Sequence, residues 1–156
     1  MMSLSEYEAK LLNCDQSNSE SVFQDVADSY EDDLLEFDEF PDEYFDFVLT
    51  LLSDNRFFSK AGVWNFLLVL GTESHRLCSN HYARLSDTII DHFKDYDDED
   101  LCLGVCDFVA RNYSLADASM IFDRLEAIEK QKSESLHGFV ADGRRIMLAE
   151  EERRKS

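Results

Sequence analysis

Apolar residues recur along this chain at helical spacing almost from end to end. Leu4, Tyr7, Leu11 and Leu12 follow a three-to-four spacing and predict a short first helix. Asn13 to Ser19 is a polar break, and Asn18 or Ser19 suits the cap of a second helix whose inner face is Val22, Phe23, Val26 and Tyr30. Leu34, Leu35 and Phe37 continue that pattern with looser periodicity. Pro41 marks a boundary, because proline is tolerated in the first helical turn, where its missing N–H costs nothing. Asp42 and Glu43 then face the positive end of a helix dipole, and Tyr44, Phe45, Val48, Leu49 and Leu52 form a core stripe ending near Asp54 and Asn55.

A further segment starts at Phe58 or Ser59 and is apolar on most sides through Val63, Trp64, Phe66, Leu67, Leu68 and Leu70, the mark of an interior helix, with Gly71 placed as its C-cap. After a linker at Ser74 to Ser79, a helix over Asn80 to Lys94 carries Tyr82, Leu85, Ile89, Ile90 and Phe93. The acidic stretch Asp95 to Asp100 caps an apolar helix of Leu101, Leu103, Val105, Phe108 and Val109, which stops at Asn112. Ser114 caps the next helix, with Asp117 three residues on, and Leu115, Ala118, Ile121, Phe122, Leu125 and Ile128 face inward. A last helix runs from Ser135 to about Glu152, and the terminal run of three Glu, two Arg and Lys is expected to be solvated and frayed.

The predicted fold class is all-α. Helix starts near Pro41, Asn80 and Leu115, with partners near Ser59, Asp98 and Ser135, give a faint internal period. Alternation of an amphipathic helix with a more apolar one is what stacked antiparallel helix pairs require, and an irregular helical bundle shows much of the same pattern. A length of 156 residues supports one hydrophobic core. The expected organisation is a single domain over 1–156, with acidic N-terminal helices over 1–40 and three helix pairs over 41–152.

Charge changes this picture most. The formal net charge is -19, and it is unevenly placed. Residues 1–60 hold sixteen acids against three bases, residues 61–100 eight against three, and residues 101–156 ten against nine. Between Glu20 and Asp46 stand twelve acids and no Lys or Arg, interleaved with Phe23, Tyr30, Phe37, Phe40, Tyr44 and Phe45. A disordered acidic run is poor in such rings. This is a folded surface with a negative field, suited to attracting a cationic partner. Asp25, Asp28, Glu31, Asp32, Glu36, Glu39, Asp42, Glu43, Tyr44 and Asp46 are the candidate partner-binding residues. The acids share helix faces, and a basic partner would relieve their repulsion. Tyr44, like Tyr30 and Trp64, is of a type that anchors interfaces when exposed, although Trp64 fits the core better and Tyr44 suits either place equally. No basic track is present, which argues against direct binding of nucleic acid.

Other chemistry finds little support. His75, Cys78 and His81 are close in sequence, but their spacing matches no zinc signature. Cys102 and Cys106 lie in an apolar helix and read as small hydrophobes. Carboxylate pairs such as Asp32 with Asp33, Asp97 with Asp98 or Glu36 with Glu39 have no surrounding motif, and 34 acids make pairs by chance. The reading is a protein without cofactor or catalytic activity. The longest apolar run, Phe66 to Leu70, is five residues, no secretory signal precedes the first acids, and the four cysteines form no framework. These features point to a cytoplasmic protein with free thiols and no membrane partner.

The stretch from Pro41 to about Leu148 resembles HEAT-like helical-repeat proteins. Ser59-Lys60-Ala61-Gly62-Val63-Trp64-Asn65-Phe66-Leu67-Leu68 looks like the inner helix of one pair, and Leu101 to Val109 like another. With its size and acidity, the chain resembles bacterial immunity proteins that neutralise nuclease toxins, particularly those of contact-dependent growth inhibition systems. The resemblance implies a protein that binds one basic toxin domain and covers its active site or substrate groove. Two alternatives stay open: a nucleic-acid mimic that inhibits DNA-binding or restriction enzymes, and a helical-repeat scaffold protein.

Overall fold

The computed structural model describes residues 2–156, and among these every regular element is a helix. The first, α1 (Leu4–Asn13), starts at a reciprocal cap: Ser3 Oγ accepts from the Glu6 N–H, and the Glu6 carboxylate accepts from the Ser3 N–H. It is followed by α2 (Ser19–Leu34), whose Phe23, Val26, Ala27, Tyr30 and Leu34 are buried. Pro41 sits one position outside α3 (Asp42–Ser53), at its N-cap. Asp54 then caps a single turn, α4 (Asn55–Phe58).

The segment that resembles one inner helix is split. Gly62 adopts a φ of 122°, and a Cβ there would stand 2.6 Å from Phe23 Cβ. The chain therefore turns through 59–63, and the apolar helix α5 (Trp64–Thr72) begins only afterwards. Gly71 lies inside α5, one residue before its end. The remaining helices are α6 (Ser79–His92), α7 (Glu99–Asn112), α8 (Leu115–Glu129) and α9 (Phe139–Lys155). Ser114 caps α8 as its sequence implies, accepting from the Asp117 N–H at 3.2 Å. The last helix starts later than Ser135, because Gly138 takes a positive φ of 98° and breaks the chain there. Its end does not fray before Lys155: Glu150 pairs with Arg111 and Arg153, and Glu152 with Lys155.

The helices pack in two rows. One row is α3 against α6 and α6 against α8; the other is α5 against α7 and α7 against α9, with α2 laid on α5 and α1 on α2. The rows meet through large side chains such as Phe47 and Phe66, whose rings lie 5.9 Å apart. One core runs from Tyr7 to Met147. Its buried tyrosines each find an acceptor, as buried hydroxyls must. Tyr30 donates to Tyr44 O at 2.5 Å, Tyr96 to Leu52 O at 2.6 Å and Tyr113 to Tyr82 O at 2.7 Å. Close approach of α9 to α7 depends on Gly143, where a Cβ would stand 2.7 Å from the Phe122 ring and 3.1 Å from Cys106 Cβ. No helix among the described residues is long and apolar enough to cross a membrane.

Candidate binding surface

The acidic stretch runs through α2, the 35–41 loop and the first turns of α3. Asp25, Asp28 and Asp32 follow a three-then-four spacing on α2 and are exposed. Glu36 and Glu39 are exposed on the loop with Asp38, and Asp42, Glu43 and Asp46 are exposed on α3. Glu31 is half-buried. Its burial, with Glu73, Asp28 and Asp32 nearby, holds its carboxyl above the usual range.

Among the described residues, none of the carboxylates from Glu20 to Glu43 pairs with Lys or Arg. Asp42 meets only the His81 ring, at 3.2 Å, and Asp46 pairs with Arg84. Acids elsewhere fare differently. Asp107 and Glu150 share Arg111, Asp123 and Glu126 share Arg144, and Asp142 pairs with Arg145. Several C-terminal acids are thus neutralised internally, whereas the run from Glu20 to Glu43 has no Lys or Arg partner among the described residues.

Tyr44 is not an exposed anchor on this surface. It is 7% exposed, and its hydroxyl donates to Asp33 Oδ2 at 3.1 Å. Tyr7 donates to the same oxygen at 2.6 Å. Burial and the Asp33 charge push the Tyr44 phenol up to about 12. Asp33, itself 7% exposed, therefore ties α1, α2 and α3 together and faces away from any partner. Tyr30 is wholly buried. Trp64 is half-buried and its Nε1 donates to Glu20 Oε1 at 3.0 Å.

Two features of the surface escaped the sequence reading. The first is a pair of outward apolar side chains on the 35–41 loop: Leu35 is 76% exposed and Phe37 37% exposed. A signal existed, since Leu34 completes the buried stripe and the next residue must point off it. The second is Arg76, distant in sequence, which clamps that loop from below. Its Nη1 donates to Leu34 O at 3.2 Å and its Nη2 to Phe37 O at 2.7 Å, while Glu73 pairs with it at 3.1 Å. Its guanidinium also lies over the Phe40 ring. Beside the clamp is an open cleft of about 640 Å³ lined by Asp38, Glu39, Phe40, Asp42, His75, Arg76, Cys78, Asn80 and His81.

His81 joins the start of α6 to α3. His81 Nδ1 accepts from the Cys78 N–H at 3.1 Å, closing the start of α6, which leaves Nε2 to donate to Asp42. His75 is exposed and stands apart from that arrangement. Cys102 and Cys106 are buried, and burial pushes both thiols up, away from the reactive thiolate. Comparison with protein-family models, with curated proteins and with solved structures found no match.

Proposed function

We propose that this chain is a binding protein that holds a cationic protein domain against its acidic surface, in the manner of an immunity protein covering the active site or substrate groove of a nuclease toxin. The observation that carries this reading is the run of unpaired acids from Glu20 to Glu43. Among the described residues these carboxylates lack Lys or Arg partners, although several Arg side chains elsewhere in the chain are engaged with Asp and Glu. Unmatched like charges on one helix face cost stability. A cationic partner removes that cost, is steered in by the field, and is held by charge-assisted hydrogen bonds. A nuclease offers such a partner because its cleft is basic toward phosphate. A cytoplasmic setting fits the four free cysteines.

Capture on the immobilised protein from its native source at low ionic strength, eluted with rising salt, tests the reading. One stoichiometric basic protein is the expected eluate, and the triple variant Asp32→Lys/Glu36→Lys/Glu43→Lys is expected to lose it. A mixture of unrelated basic proteins would refute a dedicated inhibitor in favour of a nucleic-acid mimic. Retention of the same partner by the triple variant, at low and high salt alike, would refute the acidic surface as the seat of binding.

A further inference from the structure

The acidic surface is not uniformly polar. Its loop alternates apolar with acidic side chains, Leu35-Glu36-Phe37-Asp38-Glu39, and the fold holds that alternation in place. Leu35 turns back by a short bond from its N–H to Asp32 O, Glu36 to Asp33 O and Phe37 to Leu34 O. Arg76 grips the two carbonyls at either end of this turn, and the Phe37 ring packs 5.4 Å from Tyr44. Tyr44 is fixed in turn by Asp33. A side chain as exposed as Leu35 usually sits on a surface that lets it move; this one is presented on a backbone fastened at both ends. Fixing an apolar side chain before it is buried lowers the ordering cost of an interface.

We propose, building on the binding reading above, that this loop is the plug itself. Leu35 and Phe37 seat in a partner surface that interleaves apolar with cationic side chains, and Lys or Arg of that surface enters the neighbouring cleft beside Asp38, Glu39 and Asp42. The charge complementarity is direct. Carboxylates flank the two apolar side chains on the chain itself, and beyond Asp38 the cleft adds Glu39 and Asp42, the latter already paired to the His81 ring, around Arg76. A basic surface without apolar contacts would leave Leu35 in water and gain nothing from the clamp. A purely apolar one would bury the carboxylates unpaired, which is costly. The surface that satisfies both is the one that grips a single-stranded nucleic acid, where cations track the backbone and apolar or aromatic platforms take the bases. On this reading the loop places carboxylates where phosphates would lie and Leu35 and Phe37 where bases would stack.

Two capped synthetic peptides of equal charge serve as probes, one alternating four Lys with four Trp, the other four Lys with four Ser. Binding is followed by titration of the full-length protein and by its backbone amide NMR shifts, at about 0.15 M salt, where long-range attraction is screened. The Lys/Trp peptide is expected to bind the native protein about tenfold more tightly, as burial of one leucine-sized side chain would give, with shifts centred on residues 31–44. The variant Leu35→Ser, at a site too exposed to endanger folding, is expected to erase that advantage while leaving the Lys/Ser affinity unchanged. Equal binding of the two peptides by the native protein, or an advantage that survives Leu35→Ser, would overturn the plug and leave the acidic-surface reading standing. Failure of both peptides to bind at about 0.01 M salt, where screening is weak, would overturn the acidic-surface reading as well.

Discussion

Replacement of Tyr7 by Phe isolates the contact that organises the acidic surface from beneath. Tyr7 on α1 and Tyr44 on α3 both donate to Oδ2 of Asp33 on α2, at 2.6 and 3.1 Å. The shorter bond goes to a carboxylate that is almost wholly buried, so its removal belongs to the class worth about 1.5–3 kcal/mol. Tyr44 shares the same oxygen and remains, which places Tyr7→Phe at the lower end, about 1.5–2 kcal/mol, and Tyr44→Phe nearer 1 kcal/mol. In a chain of this size each kcal/mol lowers Tm by roughly 2–4 °C. The double variant leaves the Asp33 carboxylate with neither hydroxyl, and breaking a buried charge's partners costs about 3–5 kcal/mol. The double loss should therefore exceed the sum of the single losses.

Urea denaturation followed by far-UV circular dichroism, with Trp64 as the sole indole for fluorescence, measures all three variants. A Tyr7→Phe cost below about 0.5 kcal/mol, or strict additivity in the cycle, would refute a shared buried carboxylate as the tie between the three helices.

Three other expectations follow from named groups. Glu31 and Asp98, both raised chiefly by burial, bind protons more tightly folded than unfolded, so stability rises as pH falls through their folded values toward the ordinary carboxylate range; Asp15, Asp54 and Glu150, lowered chiefly by hydrogen bonds from Ser17, Arg56 and Arg153, lose stability as pH falls further. Calorimetry should show Tm rising as pH falls from neutral toward the ordinary carboxylate range and dropping below it, and a steady fall from neutral pH downward would contradict this. Lys60 Nζ donates to Leu11 O, Leu12 O and Cys14 O at 2.8–2.9 Å, so Lys60→Met should cost about 2–3 kcal/mol and show faster amide exchange in α1 with α7 and α9 unchanged. Asp28→Asn/Asp32→Asn should raise Tm by roughly 1–3 °C through relief of like-charge repulsion while weakening the captured partner; a lowered Tm would show that these acids stabilise the fold.

Local chemistry made much of the fold legible. Ser114 with Asp117, Pro41 ahead of two acids, and the apolar spacing of Leu101 to Val109 act within one helix, and each helix formed where they stand. Gly62 was less visible, because its neighbours Val63 and Trp64 are good helix interiors; only the approach of Phe23, a residue of another helix, forces the turn there. Tyr44 fits a helix equally well facing in or out, and Asp33 decides the matter through a contact between helices. The acidic surface was legible because charge composition survives folding. Its apolar tip was legible only in part: Leu35 must point off the stripe that Leu34 completes, but the Arg76 clamp comes from a turn far along the chain.

The same carboxylate chemistry meets two fates in this molecule, and that difference constrains what the acids are for. Around α7, α8 and α9, Arg111 and Arg144 each serve two acids and join neighbouring helices. If acidity served only hydration, scattered and partly paired acids would suffice along the whole chain. Unmatched acids occur elsewhere too, as from Asp87 to Asp100, but in the run from Glu20 to Glu43 Asp25, Asp28 and Asp32 share a helix face and Glu31 is crowded enough that its ionisation is disfavoured. The fold also spends Arg76, one of its few N-terminal-side cations, on two backbone carbonyls and Glu73, leaving Asp38 and Glu39 beside it without an ion pair. A cation held that way stiffens the loop and keeps its acids free. Such an arrangement leaves like charges unrelieved in the isolated protein, and that is the cost the proposed cationic partner would offset.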